Sequence, residues 1–164
     1  MLNKGEILFR QGEQGNLFLL KSGLLKVTHI QENGGEFLFN ILIPGEIFPH
    51  RSLLTPAPYY GTVSAMVNSE LEEIQADQWY REMEEKPYKY RELALYLERT
   101  LRKLQQRIEM TTVAPKERIP LLKQWLSTFC SISSVEEVLT QEEIGQFLGM
   151  TRETVNRHLK KYGK

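Results

Sequence analysis

A chain of 164 residues and 19.2 kDa, 41% apolar and 26% charged, has the composition of a soluble protein with one substantial core or two small domains. It has no apolar run near the roughly 18 residues of a membrane span, no signal-peptide pattern in "MLNKGEILFRQGE", and one cysteine, Cys130, which alone makes no intramolecular disulfide, zinc site or iron–sulfur site, so a cytoplasmic protein without membrane, metal or cofactor is expected. The net charge of zero hides an asymmetry: residues 1–86 hold 7 Lys and Arg against 12 Asp and Glu, residues 87–164 hold 14 against 9, and that basic second half suits either a polyanionic partner or a solvated basic face.

Eight of the eleven glycines fall in the first 61 residues, punctuating short runs rich in Ile, Leu, Val and Phe. "EILF", "NLFLLKSG", "LLKVTHI", "EFLFNILIPGE", "TVSAMV" and "ELEEI" read as strands, with "ENGGE" (Glu32 to Glu36) as a hairpin turn. An antiparallel β-roll over about residues 4–76 is predicted. The loop "EIFPHRSLLTPAPYYG" stands apart, with its prolines, paired tyrosines, His50 and Arg51.

After Pro87 the apolar period becomes helical. Tyr90, Ala94, Leu97, Leu101, Leu104, Ile108 and Thr111 are separated alternately by four and three residues, which is an unbroken heptad seam. Arg91, Arg99, Arg102, Lys103 and Arg107 lie off it, with Glu92, Glu98 and Glu109, and are expected on a wet face. The stripe suits either packing on the roll of its own chain or a two-helix seam between copies, and its three heptads favour a homodimer. "VAPKERI" breaks the helix, since the residue before Pro115 is pushed out of the α region and Pro115 suits the first turn of the next helix. That helix is predicted to about Phe129, with Ile119, Leu122, Trp125, Leu126 and Phe129 on a core face. The expected class is therefore α+β, divided into a β-roll (1–86), a dimerisation helix and hinge (87–113) and a carboxyl-terminal unit (114–164).

In "TQEEIGQFLGMTRETVNRHLKKYGK", Thr140 and Glu143 form a capping box, and Ile144, Phe147 and Leu148 face a core. Gly145 is expected to admit a crossing helix, Gly149 to end the first helix and Thr151 to cap the second. This is helix-turn-helix spacing. In the second helix Val155 and Leu159 point inward, leaving Arg152, Glu153, Asn156 and Arg157 outward near its amino end. Those side chains suit base edges, and Glu153 is placed to brace Arg157 one turn on. No Ser-His-Asp, Cys-His, paired-carboxylate or phosphate-loop arrangement is visible, and an enzyme is not expected.

On these residues, above all "QEEIGQFLGMTRETVNRHLKK", the chain resembles the CRP/FNR superfamily of bacterial transcription regulators along nearly its whole length. The resemblance implies a β-roll effector domain, a long dimer helix and a winged-type helix-turn-helix, with double-stranded DNA, a second copy and RNA polymerase as partners. Arg152, Glu153, Asn156 and Arg157 would read bases, while Gln141, Thr151, Lys160 and Lys161 would meet the backbone. The sequence ends at Lys164, where the family's β-wing usually follows, so the expectation is a helix-turn-helix with the wing missing.

The resemblance also exposes departures. Where cyclic-AMP-binding members carry a glutamate for the ribose, an arginine for the cyclic phosphate and a serine beside it, this chain has His50, Tyr60 and Gly61; where a Thr-Ser pair meets adenine it has Leu104 and Gln105. A phosphate would lack its bidentate partner, so the effector is expected to be something other than cyclic AMP, or absent. His50, Arg51, Tyr60, Gly61 and Gln105 mark the candidate pocket. Three readings stay open there: a loop packed shut by Tyr59 and Tyr60, an unidentified ligand held near His50 and Arg51, or haem on His50. For the molecule, a regulator gated by such a ligand stands beside a dimerising module that titrates a full-length relative.

Overall fold

Short β-branched and aromatic runs closed by glycine turns leave each strand with one apolar side to cover, and two sheets facing each other solve that problem. The computed structural model describes residues 1–162, and side chains through residue 160. Seven strands form it: β1 (Ile7–Phe9), β2 (Leu17–Ser22), β3 (Leu25–Ile30), β4 (Glu36–Leu42), β5 (Ile47–Phe48), β6 (Thr62–Ala65) and β7 (Glu70–Ile74). They pair antiparallel in the orders β1-β6-β3-β4 and β5-β2-β7. "ENGGE" lies in the β3–β4 turn, where the Gln31 amide donates to the Gly35 carbonyl at 2.9 Å. Between the sheets Phe9, Leu20, Leu25, Leu42, Phe48, Tyr59, Val63 and Ala65 form one core cluster.

A helix absent from the sequence reading follows, α1 (Ala76–Glu85), which buries Met83 and packs Trp79 with Leu17, Leu53 and Leu93. Next come α2 (Tyr88–Thr112), α3 (Pro115–Ser127), α4 (Gln141–Leu148) and α5 (Arg152–Tyr162). At 25 residues α2 is about 38 Å long. Its roll-facing stripe is Leu93, Tyr96, Thr100, Lys103 and Arg107, with Leu93 and Thr100 fully buried. Lys103 and Arg107 therefore face the roll, correcting their expected place on a wet face. Lys103 approaches Glu46, and Arg107 reaches Phe39 and Asn40 on β4.

The carboxyl-terminal helices share a core with the roll. Leu24, Leu38, Ile41, Ile43 and Met66 from the strands pack in one cluster with Ile119, Leu122, Leu126, Ile144, Phe147, Leu148 and Val155. α4 lies against β4, the sheet's edge strand, whose unpaired backbone groups would otherwise face water. The Gln146 side chain takes the place of a neighbouring strand there: its amide oxygen accepts from the Leu38 N–H at 2.7 Å and its Nε2 donates to the Glu36 carbonyl at 3.2 Å.

Candidate nucleic-acid interface and the cavity of the roll

The helix-turn-helix is built by local chemistry. The Glu143 amide donates to the Thr140 hydroxyl at 3.2 Å and the Glu143 carboxylate accepts from the Thr140 amide at 2.8 Å, closing the capping box that starts α4. Glu143 also pairs with Lys26 of β3, and these interactions together outweigh its burial and hold its carboxyl below the usual range. Gly149 ends the helix at φ 64°, the left-handed region. Gly145 has a different task from the one expected of it: a Cβ there would lie 2.5 Å from the Met150 carbonyl oxygen, so it is the turn folding back, rather than a crossing helix, that requires glycine. Thr151 then accepts from the Thr154 amide at 3.2 Å and opens α5.

Val155 is fully buried against α3 and α4, and Leu159 packs beside it. The opposite side of α5 carries Arg152, Glu153 and Arg157, all exposed, with Asn156 half-buried beside them and Lys160 exposed beyond. None of these five takes part in an ion pair or side-chain hydrogen bond among the described residues, so the expected Glu153–Arg157 brace is not formed and both groups are left unpaired. Gln141 is half-buried and donates to Glu136 at 2.9 Å, and Thr151 is occupied in the cap. The Lys161 side chain lies outside the described residues. α4 is the helix held against the roll, and this polar face of α5 stays exposed.

Two arginines that the sequence reading gave no role fix this unit in place. The Arg118 guanidinium donates to the Val113 carbonyl at 3.0 Å, where α2 ends, and to the Leu148 and Gly149 carbonyls at 3.0 and 3.2 Å, where α4 ends. It thus ties the hinge to the turn and satisfies carbonyls at the negative end of a helix dipole. Arg107 donates to the Phe39 carbonyl at 2.9 Å and to the Asn40 Oδ1 at 2.8 Å, with its guanidinium carbon 4.0 Å above the Phe147 ring. Burial pushes its pKa down to about 10. Both residues are charged side chains within helical stretches, and apart from the nearby Val113 carbonyl only the fold brings their partners near.

Along α2, Tyr90, Leu101, Leu104 and Ile108 are 47%, 56%, 38% and 61% exposed. Ala94 is exposed as well, while Leu97 and Thr111 are half-buried, Leu97 being packed toward the roll with Tyr96 and Trp79.

The candidate pocket residues divide. His50, Arg51, Tyr60 and Gly61 line one cavity of about 300 Å³ with Phe9, Val27, Phe39, Asn40, Leu42, Phe48, Pro49 and Val63; Gln105 is exposed on α2 and takes no part. The cavity is open, which corrects the reading of a loop packed shut by its own tyrosines. Tyr59 sinks into the core 3.8 Å from the Phe9 ring and donates to the Asn16 carbonyl. Tyr60 folds outward, stacked on His29 at 4.3 Å. At Gly61 a Cβ would lie 2.5 Å from the Thr28 carbonyl oxygen, so a serine could stand there only if β3 moved. His50 turns its Nε2 toward the Tyr96 hydroxyl at 3.4 Å, and no group of three His, Cys, Asp or Glu able to hold a metal occurs among the described residues. No helix among them is long and apolar enough to cross a membrane.

The family model "Cyclic nucleotide-binding domain" matches residues 1–86, and "Bacterial regulatory proteins, crp family" matches residues 138–164. A CRP-like cAMP-activated global transcriptional regulator of Mycobacterium tuberculosis is 27% identical over 163 residues, covering 95% of this chain and 73% of its own. The transcriptional activator protein anr of Pseudomonas aeruginosa is 29% identical over the same length, with 66% of that protein covered. Among solved structures, a CRP-family transcriptional regulator of Thermus thermophilus superposes with a TM-score of 0.76 at 22% identity, over 99% of this chain and 83% of that one, which is a likeness of fold. A β-roll that matches the cyclic nucleotide-binding domain, followed by a helix-turn-helix of the crp type, places the chain in the CRP/FNR family of bacterial transcription regulators, which are not enzymes.

Proposed function

We propose that the chain acts in the cytoplasm as a homodimer that reads a pseudo-palindromic DNA site through two copies of α5, with RNA polymerase as the machinery it regulates. The observation that carries this reading is the set of unpaired side chains Arg152, Glu153, Asn156 and Arg157 on a helix held by its caps and by Val155. Arginine can donate two hydrogen bonds to guanine, and glutamate can accept from the cytosine amino group. Lys160, Thr151 and Gln141 flank that face and suit the phosphate backbone, the role the sequence resemblance gives to Lys161 as well. The exposed apolar line of Tyr90, Leu101, Leu104 and Ile108 supports a second copy, which would set two half-sites about 34 Å apart. The effector is something other than cyclic AMP, or the roll takes none. His50, Tyr60 and Gly61 stand where that ligand needs carboxylate, guanidinium and hydroxyl, and the contact at Gly61 leaves no room for the last.

The test is selection from a random DNA pool followed by a salt series on the recovered site. Affinity should fall steeply between about 50 and 200 mM salt as phosphate contacts release counterions. Arg157→Ala should cost about 1–3 kcal/mol on the selected site and relax preference at one base position. An Arg157→Ala protein with unchanged sequence preference would remove the base-reading role.

A further inference from the structure

Native interiors seldom leave a void larger than a water molecule, and a space of about 300 Å³ is at the size where small-ligand pockets begin. The walls of this one are chemically lopsided. Phe9, Leu42, Phe48 and Val63 are buried apolar side chains, and Val27, Phe39, Pro49 and Tyr60 complete an apolar and largely aromatic lining. Few polar atoms face it. The Asn40 side-chain oxygen is already engaged by Arg107, and His50, uncharged because burial and Lys103 hold its pKa at about 4, points its Nε2 toward Tyr96. A sugar phosphate would lose its water there and find too few partners in exchange. One charged side chain does line the space: Arg51, exposed at the rim with its guanidinium carbon 5.7 Å from the Tyr60 ring centre and without an ion pair among the described residues. A free guanidinium at the mouth of an aromatic slot can take a carboxylate or sulfonate while the slot takes the rest of the molecule.

We propose that this cavity binds a flat, mostly apolar small molecule bearing one anionic group, with its ring system among Phe9, Phe48 and Val63 and its anion on Arg51. This deepens the reading of the chain as a regulator by naming the ligand class its roll accepts. It also gives occupancy a route outward. Phe39 and Asn40 form the cavity wall on one side and hold Arg107 on the other, and Arg107 lies on Phe147 of α4.

The test uses the full chain without DNA, so its failure would leave the DNA reading untouched and the reverse also holds. The probes are 2-naphthoate, 2-naphthamide and cyclic AMP, followed by titration calorimetry. One 2-naphthoate should bind per chain, the neutral amide at least about tenfold more weakly, and cyclic AMP more weakly still. Arg51→Gln, at an exposed position, should weaken 2-naphthoate about tenfold and leave 2-naphthamide within about twofold. Val63→Phe should fill the slot and remove both aromatic ligands. Phe39→Ala, at a half-exposed position that folding tolerates, should weaken both if Val63→Phe fails to fold. The proposal is overturned if 2-naphthoate does not saturate, if Arg51→Gln leaves its affinity unchanged, or if cyclic AMP binds more tightly than 2-naphthoate.

Discussion

Glu46 is 4% exposed, with its Oε1 3.6 Å from the Lys103 Nζ and its Oε2 3.8 Å from the His50 Nε2 and without a hydrogen-bond partner. Burial outweighs the lysine and pushes the carboxyl up to about 7, while burial and the same lysine push His50 down to about 4. Tyr96, whose hydroxyl faces His50, is raised to about 12 by burial and stays neutral. Between about pH 4 and 7 Glu46 and His50 are therefore two neutral groups in contact rather than an ion pair. Their effects on stability have opposite signs. A carboxyl raised in the folded state gives stability that is full below its unfolded value, near 4.5, and is lost as pH rises to about 7. A histidine depressed in the folded state gives stability that is full above about 6.5 and is lost as pH falls toward 4. Each alone is worth on the order of 3 kcal/mol, and over the shared window they cancel. Urea midpoints of the native chain should therefore change little from these groups between about pH 4.5 and 6.5. His50→Gln should gain stability on acidification from pH 7 to 4.5, and Glu46→Gln should lose it from pH 6.5 to 4. Parallel profiles for the two variants would refute the assignment. Nothing in "PGEIFPH" marks its glutamate as buried, because the lysine beside it comes from a helix far along the chain.

At the scale of elements, α2 carries two stripes one residue out of step. Leu93, Tyr96, Thr100, Lys103 and Arg107 face the roll, while Ala94, Leu101, Leu104 and Ile108 face outward. Both have heptad spacing, but only the outward one is apolar enough to stand out in the sequence. Leu101→Glu tests it cleanly, because at 56% exposure the substitution spares the isolated chain. Burying an unpaired carboxylate in an apolar seam costs several kcal/mol, so the dimer dissociation constant should rise at least about 100-fold by sedimentation while the far-ultraviolet spectrum stays the same. A Leu101→Glu protein that remains a dimer would move the interface elsewhere. The same contrast explains what the sequence made legible. α4, its turn and the start of α5 could be read because caps and a left-handed glycine are local chemistry. The hairpin at "ENGGE" was legible for the same reason. α1 was overlooked although Ala76, Trp79, Tyr80 and Met83 have helical spacing, since its charged majority reads as the end of the roll. β5 has two residues, too few for any period. The cavity was half legible: "PHRSLLTPAPYYG" gave His50, Arg51, Tyr60 and Gly61, but Phe9, Phe39 and Phe48 meet them only once two sheets close.

In the whole molecule the roll and the helix-turn-helix unit are joined by a common core, by Gln146 on the β4 edge, by Lys26 with Glu143, by the Lys4 ammonium donating to the Glu137 carbonyl at 2.8 Å, and by Arg107. A boundary crossed by this many buried groups should not melt as two units, because separating the halves exposes Leu24, Leu38, Ile43 and Met66 together with Phe147 and Leu148. The chain has two tryptophans, and they report on opposite sides: Trp79 packs among Leu17, Leu53 and Met83, whereas Trp125 stacks on Phe147 at 5.9 Å. Trp125→Phe and Trp79→Phe leave one reporter each, and their urea transitions should coincide. Leu38→Ala then tests the joint itself. Leu38 is 1% exposed on β4 within the common cluster, and truncating a buried leucine costs about 2–5 kcal/mol. With a urea slope of about 2 kcal/mol/M, a loss of about 3 kcal/mol moves the midpoint down by about 1.5 M. If the core is common, both reporters should shift by that amount, including Trp125, whose own helix is untouched. If only the Trp79 transition moves, the helix-turn-helix unit stands on its own core and the contacts across the boundary are dispensable to folding.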